Sequence, residues 1–275
     1  MPELPEAEVV TRQLRERLLN AVLKDCWIGR PDIVRQGLPM LDWYRGARLT
    51  AVTRQGKSVV LTCSHECDTR YILAELGMTG LLLFRPLDVS YHKHTHVVFS
   101  FVGAAAAELA YWNPRRFGRI HLLDRSGLER FIAMRFGCDA LTVSGETFRD
   151  LIRSRRGELK TLLMHQQAIA GLGNIYANEV LFRARLHPNR TASRLSPTAV
   201  KRLYTTMRDV LQDAIEHGGS SVRDFLAPDG TAGRYKNRHL VYNKAGLPCP
   251  LGCGSAIRRM KGERSSFFCP SCQRK

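Results

Sequence analysis

Nowhere in this 275-residue sequence does an apolar run reach the length of a membrane span, and no basic–apolar–small leader opens it. The expected compartment is therefore the cytosol, with no membrane for the chain to span. Acidic residues are scarce: 25 Asp and Glu stand against 42 Lys and Arg, a net charge of +17. Such an imbalance points to a polyanionic partner, either nucleic acid or an anionic membrane surface. There is no internal repeat, and no low-complexity tract beyond Ala104–Ala107. A hydrophobic content of 44% excludes wholesale disorder. Eight cysteines in a reducing compartment read as thiols or metal ligands before they read as disulfides.

The pattern changes along the chain. Residues Glu6 to Asn20 predict a helix, because Val9, Val10, Leu14 and Leu18 recur on one face. From Val22 to about Leu123 come short β-prone runs: Arg48–Arg54, Ser58–Thr62, Tyr71–Glu75, Leu81–Phe84, His96–Val102, Glu108–Trp112 and Arg119–Leu123. Their spacing predicts a sandwich or a barrel. From about Leu128 the periods are helical, over Gly145–Arg153, Leu159–Gln166, Asn174–Ala184 and Pro197–His217. Gly218–Arg238 carries four glycines and reads as a long mobile connection. This order of elements favours two lobes with a cleft between them.

Cys249, Cys253, Cys269 and Cys272 form C-x3-C-x15-C-x2-C. Two close pairs around a hairpin-sized insert fit a tetrahedral four-thiolate zinc site with no position left for a substrate, so a single structural Zn2+ is expected. The metal would replace a core that so short a tail cannot build. From Gly218 to Lys275 there are 11 Lys and Arg against 3 Asp and Glu, with Arg258, Arg259, Lys261 and Arg264 inside the insert. Arginines on a rigid hairpin suit phosphate contact.

The chain begins Met1-Pro2-Glu3-Leu4-Pro5-Glu6. If Met1 is removed, Pro2 presents a secondary amine that can attack an aldehyde-like carbon and give an iminium. Glu3 and Glu6 would stand close enough to move protons. Taken alone, the same residues read more readily as an ordinary first turn of a helix.

Three segments in order, MPELPEAE at the start, Ala170-GLGNIYANE-Val180 and the cysteine knuckle, together resemble the formamidopyrimidine-DNA glycosylase family, which includes endonuclease VIII. Leu4 resembles the formamidopyrimidine branch. The resemblance covers nearly the whole chain. It implies an α+β fold: an N-terminal β-sandwich with flanking helices (1–127), a helical helix–two-turn–helix domain with a lesion-covering loop (128–239), and a C-terminal zinc-finger hairpin (240–275). It implies a monomeric base-excision repair enzyme on damaged duplex DNA, without a nucleotide cofactor. The activities implied are a glycosylase for 8-oxoguanine and formamidopyrimidines and an abasic-site lyase working by β,δ-elimination.

By that resemblance Pro2 is the nucleophile, Glu3 the proton-handling group and Glu6 its support. Lys57 and Arg264 grip phosphates beside the lesion; by themselves they read as a turn lysine and a surface arginine. His94, Asn174 and Lys160 join the DNA-binding set. Asn174 alone reads equally as a helix N-cap. Met78, Arg115 and Phe117 match the residues that fill the hole left by a flipped base; unaided, Met78 reads as core. Two other readings stay open: the same chemistry on oxidised pyrimidines, and a non-catalytic zinc-ribbon protein that binds damaged DNA.

His92, His94 and His96 would share one face if their segment is a strand. Cys63, His65 and Cys67 could suggest a second metal site, but three candidate ligands at a strand end are too few, so Cys63 and Cys67 read as buried or surface thiols, and Cys26 and Cys138 as packing residues. Four departures from the family pattern stand out. The first cysteine pair spans three residues including Pro250, and Asn113, Thr95 and His165 replace carboxylates.

Overall fold

The computed structural model describes residues 2–222 and 224–275. Their contacts divide them into two compact units, 1–134 with 217–236 and 135–216 with 237–275. The glycine-rich segment thus groups with the first unit, and the cysteine knuckle with the helices.

In the first unit, α1 (Leu4–Leu18) starts at Glu3, which forms a capping box with Glu6. Reciprocal capping of this kind satisfies N–H groups that a helix start otherwise orphans. Val10, Leu14 and Leu18 face the core as the periodicity predicts. Nine strands follow: β1 (Val22–Ile28), β2 (Val34–Gln36), β3 (Arg48–Gln55), β4 (Ser58–His65), β5 (Asp68–Glu75), β6 (Leu81–Phe84), β7 (Thr95–Val102), β8 (Glu108–Trp112) and β9 (Arg119–Leu123). They pair in the order β2-β9-β5-β4-β3-β1-β7-β8-β6.

This chain of pairings is not one flat sheet. β1 runs along β7 over most of its length but meets β3 only at Val22↔Arg48. Two leaves result, β2-β9-β5-β4-β3 and β1-β7-β8-β6. Val52, Leu61 and Ile72 from one leaf and Val97, Phe99, Leu83 and Leu109 from the other join one apolar cluster with Val10 and Leu14. In a sandwich core of this kind a Leu→Ala change costs about 2–5 kcal/mol. The structure thus takes the sandwich over the barrel.

β1 escapes the sequence pattern because Lys24 and Asp25 break the alternation; a register shift between Leu23 and Asp25 absorbs them. The three histidines do not share a strand face. Val89–His94 is a 3-10 helix capped by Asp88, whose carboxylate accepts the Ser90 N–H at 2.9 Å, and the strand starts only at Thr95. The 217–236 segment is tied down rather than loose. Ala227 N donates to Thr231 O, Phe84 N to Pro228 O, and Gln13 exchanges two hydrogen bonds with Asp229.

The helix α2 (Arg125–Arg135) follows the last strand. In the second unit a short parallel pair, β10 (Cys138–Asp139) and β11 (Ile169–Ala170), joins four helices. These are α3 (Gly145–Ser154), α4 (Leu159–Met164), α5 (Asn174–Arg183) and α6 (Pro197–Glu216). The hairpin β12 (Arg258–Met260) and β13 (Ser266–Phe268) carries the knuckle. α5 is buried from Ile175 to Phe182, including Asn178 and Glu179. No helix among the described residues is long and apolar enough to cross a membrane.

Candidate functional site

Glu6 is the centre of the amino-terminal cluster. It is 0% exposed and accepts two backbone N–H groups, from Glu3 through Oε2 and from Ser220 through Oε1, both at 2.7 Å. Pro2 and Glu3 are buried beside it. Gly219 has φ +78, and a Cβ there would lie 2.8 Å from Glu6 Oε1, so only glycine lets the loop approach. One carboxylate therefore fixes both the start of the chain and the 217–236 loop. Met1 lies outside the described residues.

Lys57 sits in the two-residue turn between β3 and β4, half-buried, after Gly56 at φ +56. Glycine at the first central position suits the hairpin twist. Arg54 braces this turn, donating to Gly56 O at 2.8 Å and to Glu8 of α1 at 3.0 Å. Burial raises the Glu8 carboxyl, but hydrogen bonds from Arg12 and Arg54 outweigh it and leave it below its ordinary value.

Two further loops come together at the same end of this leaf, where Ser58 pairs with Glu75 and Glu75 with Arg119. Gly77 and Gly118 lie in backbone contact, since a Cβ on Gly77 would meet Gly118 N at 2.5 Å. Met78 follows the first glycine and Phe117 precedes the second, so the structure brings the loops of the sequence-predicted fillers together. Phe117 is 59% exposed, and the Arg115 guanidinium lies 5.0 Å from its ring centroid. Asn113, fully buried, organises both loops. Its Oδ1 accepts the Arg116 N–H at 3.0 Å and the Thr79 hydroxyl at 3.4 Å. His96 Nε2 bonds Asn113 O at 3.0 Å, and burial lowers its pKa. Among the three histidines, His94 is half-buried and packs edge-on to Trp112 at 6.2 Å.

In the second unit, Asn174 and Arg264 line one open recess of about 400 Å³ with Arg259, Tyr242 and Phe267. Asn174 is the first residue of α5, not its cap; Gly173 holds the cap position. The preceding turn is clamped by Gln166, which accepts the Gly171 N–H and donates to Leu172 O. A helix start held in this way turns the positive end of its dipole toward an anion. Lys160 is buried, and its ammonium donates to Arg264 O at 3.3 Å, Ser265 O at 2.7 Å and Ser266 Oγ at 3.0 Å. It fastens the hairpin that presents Arg264.

The four sequence-predicted thiols converge, all within 4.8 Å of one another. The Sγ atoms of Cys253 and Cys269 are 3.4 Å apart, and those of Cys249 and Cys272 are 3.8 Å apart. Zn–S bonds of about 2.3 Å in a tetrahedron need S–S edges of about 3.8 Å, so the set fits zinc. The longer first spacing is absorbed by a turn in which Gly252, at φ +68, donates to Cys249 O. The Ser255 N–H and the Cys269 thiol hold the Cys253 thiol down at about 6. Elsewhere, Cys26 and Cys63 are buried and pushed up to about 12 by that burial. Cys67 is exposed, while His65 Nε2 bonds Trp43 O and Arg45 O. Cys138 bonds Ala168 O.

Two anchoring residues escape the sequence reading. Glu179 accepts the N–H groups of Leu240, Val241 and Tyr242 at 2.9–3.0 Å, and Asn178 Oδ1 accepts that of Phe267 at 2.8 Å. Both lie inside Ala170–Val180. Their one signal is polarity in a helix with no polar face. Gln273 adds a third tie, to Leu186 O.

A basic chain with a four-thiolate knuckle, a recess lined by a helix start and arginines, and Arg115 and Phe117 exposed on a loop has features that suit a polyanionic partner. The profile described as "Formamidopyrimidine-DNA glycosylase N-terminal domain" matches residues 1–120, and that described as "Formamidopyrimidine-DNA glycosylase H2TH domain" matches residues 137–226. Formamidopyrimidine-DNA glycosylase of Pelotomaculum thermopropionicum is 38% identical, over 100% of this chain and 99% of its own. That of Aromatoleum aromaticum is 36% identical, over 100% of both. Among solved structures, a Lactococcus lactis Fpg mutant with Fapy-dG-containing DNA superposes with TM-score 0.89 at 31% identity, over 100% of both chains. MutM with carbocyclic 8-oxo-G DNA gives 0.87 at 31%, with the same coverage. The chain belongs to the formamidopyrimidine-DNA glycosylase family of DNA glycosylases and abasic-site lyases.

Proposed function

We propose that this enzyme removes oxidised purines from duplex DNA and then nicks the strand, with the Pro2 amine as nucleophile. The observation that carries this reading is the buried cluster of Pro2, Glu3 and Glu6. Burial disfavours an ammonium and so favours the free amine that attack requires. The reading requires removal of Met1.

The nitrogen bonds to C1′ of the flipped nucleotide, and the damaged base leaves with a proton. Glu3 assists as the C1′–O4′ bond opens and an iminium forms. The iminium acidifies the C2′ proton, whose loss expels the 3′ phosphate; a second elimination expels the 5′ phosphate. Glu6 positions rather than reacts, because both its oxygens are engaged by backbone N–H groups.

Extruding a nucleotide costs a few kcal/mol. Met78, Arg115 and Phe117 refill the stack: Phe wedges, Met fills and Arg offers donors to the estranged base. Lys57, His94, Asn174 and Arg264 bind backbone phosphates, and Lys160 holds Arg264 in place. Cys249, Cys253, Cys269 and Cys272 would hold one zinc ion, which stiffens the hairpin. The oxidised-purine substrate is supported by the relatives solved with Fapy-dG and carbocyclic 8-oxo-G DNA.

Borohydride trapping on an abasic duplex tests the nucleophile. A covalent adduct is expected, and it should vanish for Pro2→Gly. No adduct, or one that survives that change, overturns the mechanism. Intact mass of the active enzyme should lack Met1. Excision of 8-oxoguanine in preference to thymine glycol tests the substrate class.

A further inference from the structure

The second unit carries a concentration of positive charge that the chemistry above does not use. α3 runs out into Arg153-Ser154-Arg155-Arg156-Gly157, an exposed run. These residues do not trail into solvent. Ser193 N donates to Arg155 O at 3.0 Å, Ala192 N to Gly157 O at 3.1 Å and Leu159 N to Arg190 O at 2.9 Å, and Glu158 pairs with Thr191. The backbone thus forms an antiparallel ribbon that sets Arg155 and Arg156 beside Arg190 and Arg194, with Arg153 on the last turn of α3. Arg153, Arg155, Arg156 and Arg194 are exposed and Arg190 half-buried.

Among the described residues none of these five guanidiniums has a carboxylate partner. Other arginines of the same unit do: Arg149 pairs with Asp150, Arg183 with Glu179 and Arg238 with Asp213. Glu158 is the one acidic side chain in the ribbon. Like charges held close cost the fold stability, and a bound polyanion would remove that cost.

The ribbon also leads somewhere. It continues through Leu159 into Lys160, the residue whose ammonium holds the Arg264 carbonyl. Five residues of extended chain cover at most about 17 Å. That is about five base-pair steps of duplex at roughly 3.4 Å each.

We propose that the Arg153–Arg156 and Arg190–Arg194 ribbon is a second phosphate-binding surface, gripping the backbone of the duplex arm beyond the phosphates held at Asn174 and Arg264. It rests on the reading of that pair as phosphate ligands. The surface reads no sequence and no lesion. Its contribution is affinity for the flanking duplex, and hence the length of DNA the enzyme covers.

The test uses the full-length, zinc-loaded protein, with Arg153, Arg155 and Arg156 all changed to Gln, or all to Lys. Binding to a duplex with a stable abasic-site analogue is measured against salt, with flanking arms of about 2 or about 15 base pairs, one well short of the reach above and one well past it. On the long-armed duplex the Gln variant should give a plot of log K against log salt shallower by about 1–3. The Lys variant should keep the parent slope. On the short-armed duplex all three proteins should coincide, in binding and in single-turnover nicking. An unchanged slope on the long duplex overturns the proposal. So does an equal loss on both duplexes, which would mark a general field effect. Unchanged DNA slopes with lost binding to anionic phospholipid vesicles would assign the ribbon to a membrane surface and overturn it too. Failure of the enzymatic reading would instead appear as no nicking by the parent protein.

Discussion

Asn113 donates its side-chain N–H to the Tyr111 hydroxyl at 3.0 Å, and Tyr111 donates in turn to the Glu75 carbonyl at 2.7 Å. The direction of this relay is set by chemistry. A backbone carbonyl can only accept, so the phenol must give its proton there and can only accept from residue 113. An amide supplies that proton, whereas a carboxylate would not. The residue that departs from the family pattern is thus fitted to its site. Asn113→Asp should destabilise the first unit by about 1–3 kcal/mol, the range for a buried group left without its partner. Urea unfolding of the two proteins at neutral pH checks it, and equal midpoints would refute it.

Glu6→Gln keeps one acceptor oxygen and turns an NH2 toward a backbone N–H. Either Glu3 or Ser220 then loses this acceptor. Misplacement of the reacting group by about 1 Å can cost ~100-fold in rate, so single-turnover nicking should fall by about that much. Affinity for duplex DNA should stay within a few-fold. A variant with parent-like nicking would show that Glu6 does not set the geometry.

Acid should weaken the protein in two windows. Desolvation of the imidazolium holds His96, His187 and His239 below 6.5. In the unfolded chain these imidazoles protonate at about pH 6.5, before their folded counterparts do. The unfolded state then binds more protons, so this stability is full above that pH and falls as pH drops through it. Glu8, held below 4.5, adds a second loss only when pH falls below 4.5 toward its lowered value. Urea midpoints followed from neutral pH down through both windows should show two declines, and His96→Gln should flatten the first. A midpoint that holds steady across the histidine window would contradict this account.

Removal of the metal should act on the second unit. Cys249 and Cys269 belong to a small apolar cluster with Phe182, Val241, Ile257 and Phe267, which the thiolates help to close. Metal analysis should find one zinc per chain, and Cys253→Ala should find none. Loss of the ion should release the hairpin and with it Arg264, lowering DNA affinity at least ten-fold, about 1.4 kcal/mol. Full affinity in a zinc-free protein would contradict this.

Much of the fold is legible in the sequence because its signals are local. Leu81–Phe84, Glu108–Trp112 and Arg119–Leu123 have the bounds that their β-prone runs predict. β1 is hidden because a bulge breaks the period, and the histidine segment departs from expectation because His-x-His-x-His spacing alone does not make a strand. The convergence of the thiols is legible from their spacing. The Glu6–Ser220 and Lys160–Ser265 bonds are not, since they join residues 214 and 105 positions apart. No periodicity encodes such pairs. Lys160 shows the limit well: its charge suggests phosphate, yet its ammonium is engaged by carbonyls of its own chain.

A Cβ on Gly77 would strike the Gly118 backbone, and one on Gly118 would strike Glu75 O and the Tyr111 hydroxyl, so neither position has space for a side chain. The loops bearing Met78, Arg115 and Phe117 therefore stand on one shared footing. If these three side chains fill the stack as proposed, the entropy of arranging them is lost during folding, so the encounter with DNA need not supply it. Under the proposed function, stiffness at two glycines, the residues usually associated with looseness, would ready these loops for fast interrogation of the double helix.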